Sequence, residues 1–405
     1  MALTFALIKE RKNPPDRRVV FSPVTLSHAA KKFPEARFIV ESSDIRIFPD
    51  SAYRELGFEV LDDVSEADVM LGVKEVPKEA LIPNKKYFFF SHTIKKQPYN
   101  RELLQTILKK KIELFDHETL VDRKNSRLIG FGYYAGLVGA YNGFRALGLR
   151  DGIFELPKVE ALPDLRAVKA ELDKIKLPKN LKVVLSGTGK VTRGAQEILD
   201  HLMVQEVSDT AYLTSQFTEP VYCLIDVMEY NKRSDGKAGD KKEFYNDPTG
   251  YESNFMPYAE VSDMFITGHY YGNNAPYLFT REDAKDPNFK INLIADISCD
   301  VDGPIASTIR ASTIEDPFYG YDPRTESETE FDAENAITVM AVDNLPCELP
   351  KDASDGFGEA FLEYILPAFF NDDRDGILTR AQMTTKEGKL ASRFNYLQDF
   401  IEGKD

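Results

Sequence analysis

The sequence predicts an α/β protein built from two doubly wound domains with a cleft between them. Three observations carry this. Residues 1–135 alternate short apolar runs with amphipathic segments, the pattern of a parallel sheet wrapped by helices. A second apolar run ends at Ser186 and opens directly into a glycine turn, Gly187-Thr188-Gly189. The chain has 405 residues, enough for two domains of roughly 150–200 residues each.

Composition narrows the class. Hydrophobic residues make up 42% of the chain, ordinary for a globular protein with a real core. A net charge of −15 disfavours nucleic acid and anionic membranes as partners. Cys223, Cys299 and Cys347 lie far apart and show neither a disulfide framework nor zinc spacing. A reduced, cytoplasmic location is the simple expectation. The stretch from Met1 to Glu10 is too short and too little basic for a signal peptide and reads as a first strand. No apolar run approaches the ~20 residues that span a bilayer.

In chain order, residues 4–8 read as a strand. Ser22-Pro23 opens a helix carrying His28, because a serine cap followed by proline at the first helical position is a start signal. Residues 37–41 read as a strand and 51–56 as a short helix. Residues 68–74, 87–91 and 112–115 follow as strands, with an amphipathic helix over 99–109 that carries Leu103, Leu104 and Leu108. Residues 131–148 form an apolar helix rich in small residues, ending at Gly148. A charged connector follows, with a helix near 165–175, and the second domain's first strand begins at Asn180. Residues 230–260 read as a long polar loop or insertion, and 262–267 and 292–297 as strands. A helix-like segment over 332–340 is expected to return the chain to the first domain, followed by a helix over 356–370. The expected division is 1–135 plus about 330–405 for one domain and 136–329 for the other.

The turn Gly187-Thr188-Gly189-Lys190-Val191-Thr192-Arg193-Gly194-Ala195 stands between a strand and a helix over 195–202. That order lets backbone N–H groups and a helix N-terminus cradle a pyrophosphate. The usual third glycine would fall at Thr192; glycine appears at 194 instead. A tight strand–helix turn is the plainer reading of the same residues. An acidic residue ~20 positions on should meet the adenosine ribose, and Glu206 is the nearest candidate. NAD or NADP is the expected cofactor, with the choice left open.

Lys74 and His92 each follow an apolar run, Val69-Met70-Leu71 and Tyr87-Phe88-Phe89-Phe90. Open α/β sheets bind ligands at the carboxyl ends of their strands. A lysine and a histidine there suit proton transfer and charge stabilisation. Taken singly, each reads as an ordinary surface or structural residue. Asp116 and Glu118 follow the strand at 112–115 and either tune the lysine or face water. Arg18 and Arg127 suit bidentate binding of carboxylates or are surface arginines. Asp296 and Asp300 flank Cys299 at a strand end and face a nicotinamide or simply form a turn before Gly303-Pro304. The acidic run from Asn371 to Gly376 hints at a calcium loop, but Gln382 stands at its twelfth position and no pair of flanking helices accompanies it.

Together these residues resemble the alanine dehydrogenase/saccharopine dehydrogenase superfamily over nearly the whole chain. Arg17-Arg18-Val19-Val20-Phe21-Ser22-Pro23, Gly72-Val73-Lys74-Glu75-Val76-Pro77 and Phe90-Ser91-His92-Thr93-Ile94-Lys95 are similar to its N-terminal, lysine and histidine elements. The lysine-forming saccharopine dehydrogenase branch, including lysine–2-oxoglutarate reductase, resembles the chain more closely. That similarity rests on Phe131-Gly132-Tyr133-Tyr134-Ala135-Gly136, on the late glycine of the 187–197 turn, on Asp296-Ile297-Ser298-Cys299-Asp300 with Ser312-Thr313-Ile314-Glu315-Asp316-Pro317, and on Val342-Asp343-Asn344-Leu345-Pro346.

The resemblance implies two Rossmann-like domains and NAD(P)-dependent interconversion of saccharopine with L-lysine and 2-oxoglutarate through an imine. It implies Lys74 and His92 as an acid–base pair, Arg18 and Arg127 as carboxylate binders, and Glu118 as a charge partner of the lysine. Gly187, Gly189, Lys190, Val191, Thr192, Glu206, Asp296 and Asp300 would serve the cofactor. The expected partner is a small amino-acid or keto-acid substrate, and the sequence fixes no oligomeric state. Two rivals stand: an alanine dehydrogenase-like enzyme, and a non-catalytic nucleotide-binding protein of the same fold.

Overall fold

The structure, a computed structural model, describes residues 3–272 and 274–404. The chain divides into two compact units, residues 1–131 with 350–405, and residues 132–349.

The first unit opens with β1 (Leu3–Leu7). Helix α1 (Pro23–Lys32) follows, its start set by Ser22, whose hydroxyl accepts from the Thr25 N–H at 3.2 Å. Next come β2 (Ala36–Glu41), α2 (Asp50–Arg54), β3 (Glu59–Leu61), β4 (Val69–Leu71) and β5 (Lys86–Phe89). Helix α3 (Arg101–Lys109) buries Leu103, Leu104 and Ile107 on one face, and β6 (Glu113–Asp116) completes the sheet. All pairings are parallel, in the order β3-β2-β1-β4-β5-β6. The order reverses between β1 and β4, so the loops leaving these two strands splay apart and open a crevice at their carboxyl ends. Strand β4 stops at Leu71, earlier than the run to 74 expected from hydropathy. Lys74 therefore stands in the loop beyond the strand rather than on it.

The second unit begins with α4 (Gly132–Asp151), a twenty-residue helix, and α5 (Leu165–Leu172). Strand β7 (Lys182–Ser186) leads into α6 (Lys190–His201), five residues ahead of the expected helix start. Then come β8 (Gln205–Glu206), α7 (Asp209–Thr214) and β9 (Val221–Ile225). The polar segment read as loop holds a hairpin, β10 (Asn231–Arg233) with β11 (Tyr251–Ser253), and two short helices, α8 (Lys241–Asn246) and α9 (Met256–Ala259). Phe244, Tyr251, Phe255 and Tyr258 bury into the core and give this segment its structure.

Strands β12 (Met264–Thr267), β13 (Leu293–Ala295), β14 (Phe318–Asp322), β15 (Ser327–Thr329) and β16 (Ile337–Met340) finish a sheet ordered β15-β14-β16-β13-β12-β7-β9-β8. The segment expected as a returning helix over 332–340 is thus a strand in part. Ile337-Thr338-Val339-Met340 is rich in β-branched residues, fully buried, and paired on both sides, to β13 in parallel and to β14 in antiparallel. The chain returns to the first unit only at Pro350. There α10 (Pro350–Ala360) runs on into a π-helical turn, Phe361–Ile365, and a 3-10 turn, Leu366–Phe369. Helices α11 (Ile377–Ala381) and α12 (Gln398–Glu402) end the unit.

Helices α4 and α6 touch backbone to backbone. A Cβ on Gly136 would stand 1.9 Å from the Val191 carbonyl oxygen, and one on Gly194 would stand 1.9 Å from that of Tyr133. The late glycine of the turn is therefore a packing residue between two helices. Among the described residues, no helix is long and apolar enough to cross a membrane.

Candidate functional site

In the first unit the site grows from the loops after β1, β4, β5 and β6, all at the carboxyl edge of the sheet. Past Leu71 the chain is held by its own backbone groups. Gly72 N–H donates to the Phe88 carbonyl at 2.9 Å, Phe90 N–H donates to the Val73 carbonyl at 2.9 Å, and buried His117 Nε2 meets the Gly72 carbonyl at 2.8 Å. The Glu10 carboxylate, from the loop after β1, accepts the Val73 N–H at 2.7 Å and the Lys74 N–H at 2.9 Å. These bonds fix where the Lys74 stem leaves the chain.

Next to it lies a buried ion pair. Arg18 donates from Nε to Asp16 Oδ1 at 3.0 Å and from its terminal nitrogen to Oδ2 at 2.6 Å, with both side chains at most 3% exposed. The Arg18 guanidinium also lies 4.2 Å over the Phe131 ring. Burial alone would raise Asp16, but the charge and hydrogen bonds of Arg18, helped by the Lys74 charge, hold it at about 2. The Asp16 anion and the Lys74 charge thus lie within electrostatic reach of each other. Glu10 behaves oppositely: burial, reinforced by the Asp16 anion, pushes it up to about 8.

His92 follows β5 with a left-handed backbone, φ +53°. Its ring stacks on Phe90 and stands between two carboxylates, with Nε2 3.6 Å from Glu75 and Nδ1 3.4 Å from Glu118. Glu75 also meets Lys12 at 3.1 Å. Burial would raise Glu118, but His92, Arg127 and Lys95 together pull it down to about 2. Arg127 reaches Glu118 at 3.2 Å from an exposed position. Asp116 lies fully buried behind this group. It accepts the Ser91 N–H at 2.9 Å and the Glu118 N–H at 2.7 Å, and burial raises it to about 6. It shapes the loop rather than facing water. His117, lowered to about 4 by burial, stays neutral and structural.

Lys74, His92, Arg18, Glu118 and Arg127 thus share one sheet edge. Asp16, Glu10 and Glu75 belong with them and were not singled out from sequence. The signal for Glu75 was its adjacency to Lys74; Asp16 and Glu10 lie in a charged loop where nothing marks them.

The second unit offers a backbone cradle. Gly187 takes φ +90°, and a Cβ there would stand 2.4 Å from the Gly268 carbonyl oxygen. Gly189 precedes α6, and a Cβ on it would meet nothing within 4 Å. Helix α6 starts at Lys190, and the N–H groups of a helix's first turn point out past its end. Thr192, in the usual glycine position, is buried with its hydroxyl 3.4 Å from the carbonyls of Ser186 and Gly268. The cradle fits a pyrophosphate: Gly187 lets the turn pack tightly on Gly268, Gly189 leaves the approach open, and a helix N-terminus supplies donors.

Two expected cofactor residues stand elsewhere. Glu206 pairs in register with Tyr222, near the amino end of β9, and accepts the Tyr222 hydroxyl at 2.8 Å. It lies at the opposite end of the sheet from the turn. The count from the glycines reached the short edge strand β8, whereas the strand beside β7 is β9. Asp226 directly follows β9, and the Gly187 N–H donates to the neighbouring Ile225 carbonyl at 2.8 Å. Asp226 thus takes the place expected of Glu206. Its carboxylate pairs with Lys241 of α8. Burial would raise it; that lysine and the Met228 N–H lower it on balance.

Asp296 is fully buried and filled. It accepts the hydroxyls of Thr267 at 2.8 Å, Ser298 at 2.6 Å and Thr308 at 2.6 Å. It ties the ends of β12 and β13 to the 307–308 loop and is closed off from the surface, 0% exposed. Asp300 is exposed in the following turn, its carbonyl accepting from Gly303 N–H at 3.0 Å. Burial pushes the Cys299 thiol up to about 12, so it is no nucleophile. In the acidic run near 371–376, Asp373 caps α11 by accepting the N–H groups of Leu378 at 3.0 Å and Thr379 at 2.8 Å.

Residues 6–138 match the model of the alanine dehydrogenase/PNT N-terminal domain. The mitochondrial alpha-aminoadipic semialdehyde synthase of Mus musculus is 29% identical over 452 residues, covering 99% of this chain and 48% of that protein. That of Bos taurus is 30% identical over 421 residues, covering 91% and 45%. The chain spans about half the length of these relatives. The NAD(+), L-lysine-forming saccharopine dehydrogenase of Yarrowia lipolytica is 24% identical, covering 89% of this chain and 90% of that protein. A solved L-alanine dehydrogenase superposes with a TM-score of 0.66 at 16% identity over the full length of both chains, a likeness of fold. The chain contains an alanine dehydrogenase/PNT N-terminal domain and is a homologue of the alpha-aminoadipic semialdehyde synthases and the lysine-forming saccharopine dehydrogenases.

Proposed function

We propose that the chain is an oxidoreductase that interconverts saccharopine with L-lysine and 2-oxoglutarate, using NAD(H). The observation that carries this reading is the placing of Lys74 and His92 at one sheet edge, each beside carboxylates. The names of its relatives supply the substrate class.

A bound nicotinamide coenzyme would supply the hydride acceptor for the carbon that bears the secondary amine, with Gly187, Gly189 and the start of α6 holding its pyrophosphate. Lys74 takes the proton that the amine loses. In the reverse direction the same lysine returns that proton to the amine. His92 moves protons during water addition to the imine. Glu75 and Glu118, 3.6 Å and 3.4 Å from its two ring nitrogens, orient the imidazole for that exchange. Arg18 and Arg127 are the guanidinium groups at this edge suited to a substrate's carboxylates.

Asp226 supports NAD(H) over NADP(H). A carboxylate beside the glycine turn accepts a ribose 2′-hydroxyl and repels a 2′-phosphate. The test is saccharopine oxidation followed by nucleotide absorbance with each coenzyme, beside reductive amination of pyruvate with ammonia. Turnover of pyruvate without turnover of saccharopine would replace this reading with an alanine dehydrogenase-like one. Equal use of NADP⁺ would refute the coenzyme assignment.

A further inference from the structure

We infer that Glu10 is a positioning residue for Lys74, its two carboxyl oxygens clamping the consecutive N–H groups of Val73 and Lys74. This rests on the role of Lys74 proposed above.

The geometry is specific. One oxygen takes the Val73 N–H at 2.7 Å and the other takes the Lys74 N–H at 2.9 Å. The residue comes from the loop after β1, and the amides from the loop after β4, so the clamp bridges the point where the strand order reverses. On the far side, His117 holds the Gly72 carbonyl at 2.8 Å. Gly72 itself is closely packed: a Cβ there would stand 3.0 Å from Ile8 Cδ1. Three successive residues, 72 to 74, are therefore pinned from opposite directions. Asp16, the nearest carboxylate named in its surroundings, is committed to Arg18.

Glu10 is 8% exposed, too deep to meet substrate as a surface group. The charged groups around it are Asp16, which raises it, and Arg18, which lowers it, with burial the largest influence. Burying a carboxyl here is costly, and the two N–H bonds offset part of that cost. The clamp holds the Lys74 stem in register with Asp16, and acid–base geometry tolerates little error: a misplacement of about 1 Å can cost about 100-fold.

Glu10→Gln is the direct probe. The amide matches the carboxylate in shape but accepts only one of the two N–H groups, and its NH2 opposes the other. The expected result is a fall in kcat of about 10- to 100-fold, with the KM for NAD⁺ unchanged. The pH profile of Lys74 acetylation by acetic anhydride, read by mass spectrometry, is expected to shift from that of the wild type. Wild-type kcat together with an unshifted labelling profile overturns the inference. Should the variant fail to fold, hydrogen exchange in the wild type decides instead. Amides 73 and 74 are expected to exchange as slowly as those of β4, and exchange at the rate of exposed loop amides overturns the clamp. Failure of wild-type saccharopine turnover would sink the proposed activity while leaving the labelling and exchange results to judge Glu10.

Discussion

The carboxyl edges of the two sheets solve different problems with the same topology. In the first unit, β1 and β4 part at a strand-order reversal and the gap fills with ionisable side chains: Asp16, Arg18, Lys74, His92 and Glu118. In the second, β7 and β12 part in the same way, and the gap is lined by backbone at Gly187, Gly189 and Gly268. One edge has charge that titrates; the other has fixed dipoles that do not. Proton transfer needs groups whose protonation can change, whereas holding a pyrophosphate needs donors that stay put.

Replacing chemistry on the first edge should spare binding on the second. Lys74→Met and His92→Ala are each expected to lower kcat about 10²- to 10⁴-fold, with NAD⁺ affinity by calorimetry unchanged. Equal loss of nucleotide binding would break the division of labour. Gly194→Ala puts a methyl 1.9 Å from the Tyr133 carbonyl oxygen, an overlap only a backbone shift can relieve. It is expected to destabilise the second unit by about 1–3 kcal/mol, read as a lower Tm. Asp226→Asn should weaken NAD⁺ about tenfold while narrowing its advantage over NADP⁺. Glu206→Gln should change neither, and an effect there equal to that at Asp226 would restore the count from the glycines as the better guide.

The pH dependence sharpens the contrast further. Glu10 is raised from an ordinary 4.5 to about 8 in the folded state. The folded chain therefore holds this proton where the unfolded chain has released it. That contribution is full below about 4.5 and is lost as pH rises toward 8. Urea-unfolding midpoints of the wild type should fall across this window more than those of Glu10→Gln. Identical slopes would show that Glu10 titrates normally.

Most of this was legible where local pattern and tertiary role coincide. The runs read as strands over 68–74 and 87–91 are buried strands over Val69–Leu71 and Lys86–Phe89, and the residues after them stand at the sheet edge. Legibility failed where neighbours in space are not neighbours in sequence. The turn count led to Glu206 because β8 precedes β9 in the chain, yet β9 lies beside β7. Ile337–Met340 read as helix because its two pairing partners are invisible locally. Asp296 read as a ligand because the three hydroxyls that fill it come from residues 267, 298 and 308.

The first unit is assembled from both ends of the chain, and this has a consequence for synthesis. Phe5, Phe21 and Phe88 pack against Phe361 and Phe369, which follow α10. A ribosome delivers the whole second unit before those covering residues appear. Until then the nascent first sheet shows an aromatic face to its surroundings, a stage at which it is prone to aggregate or to recruit a chaperone.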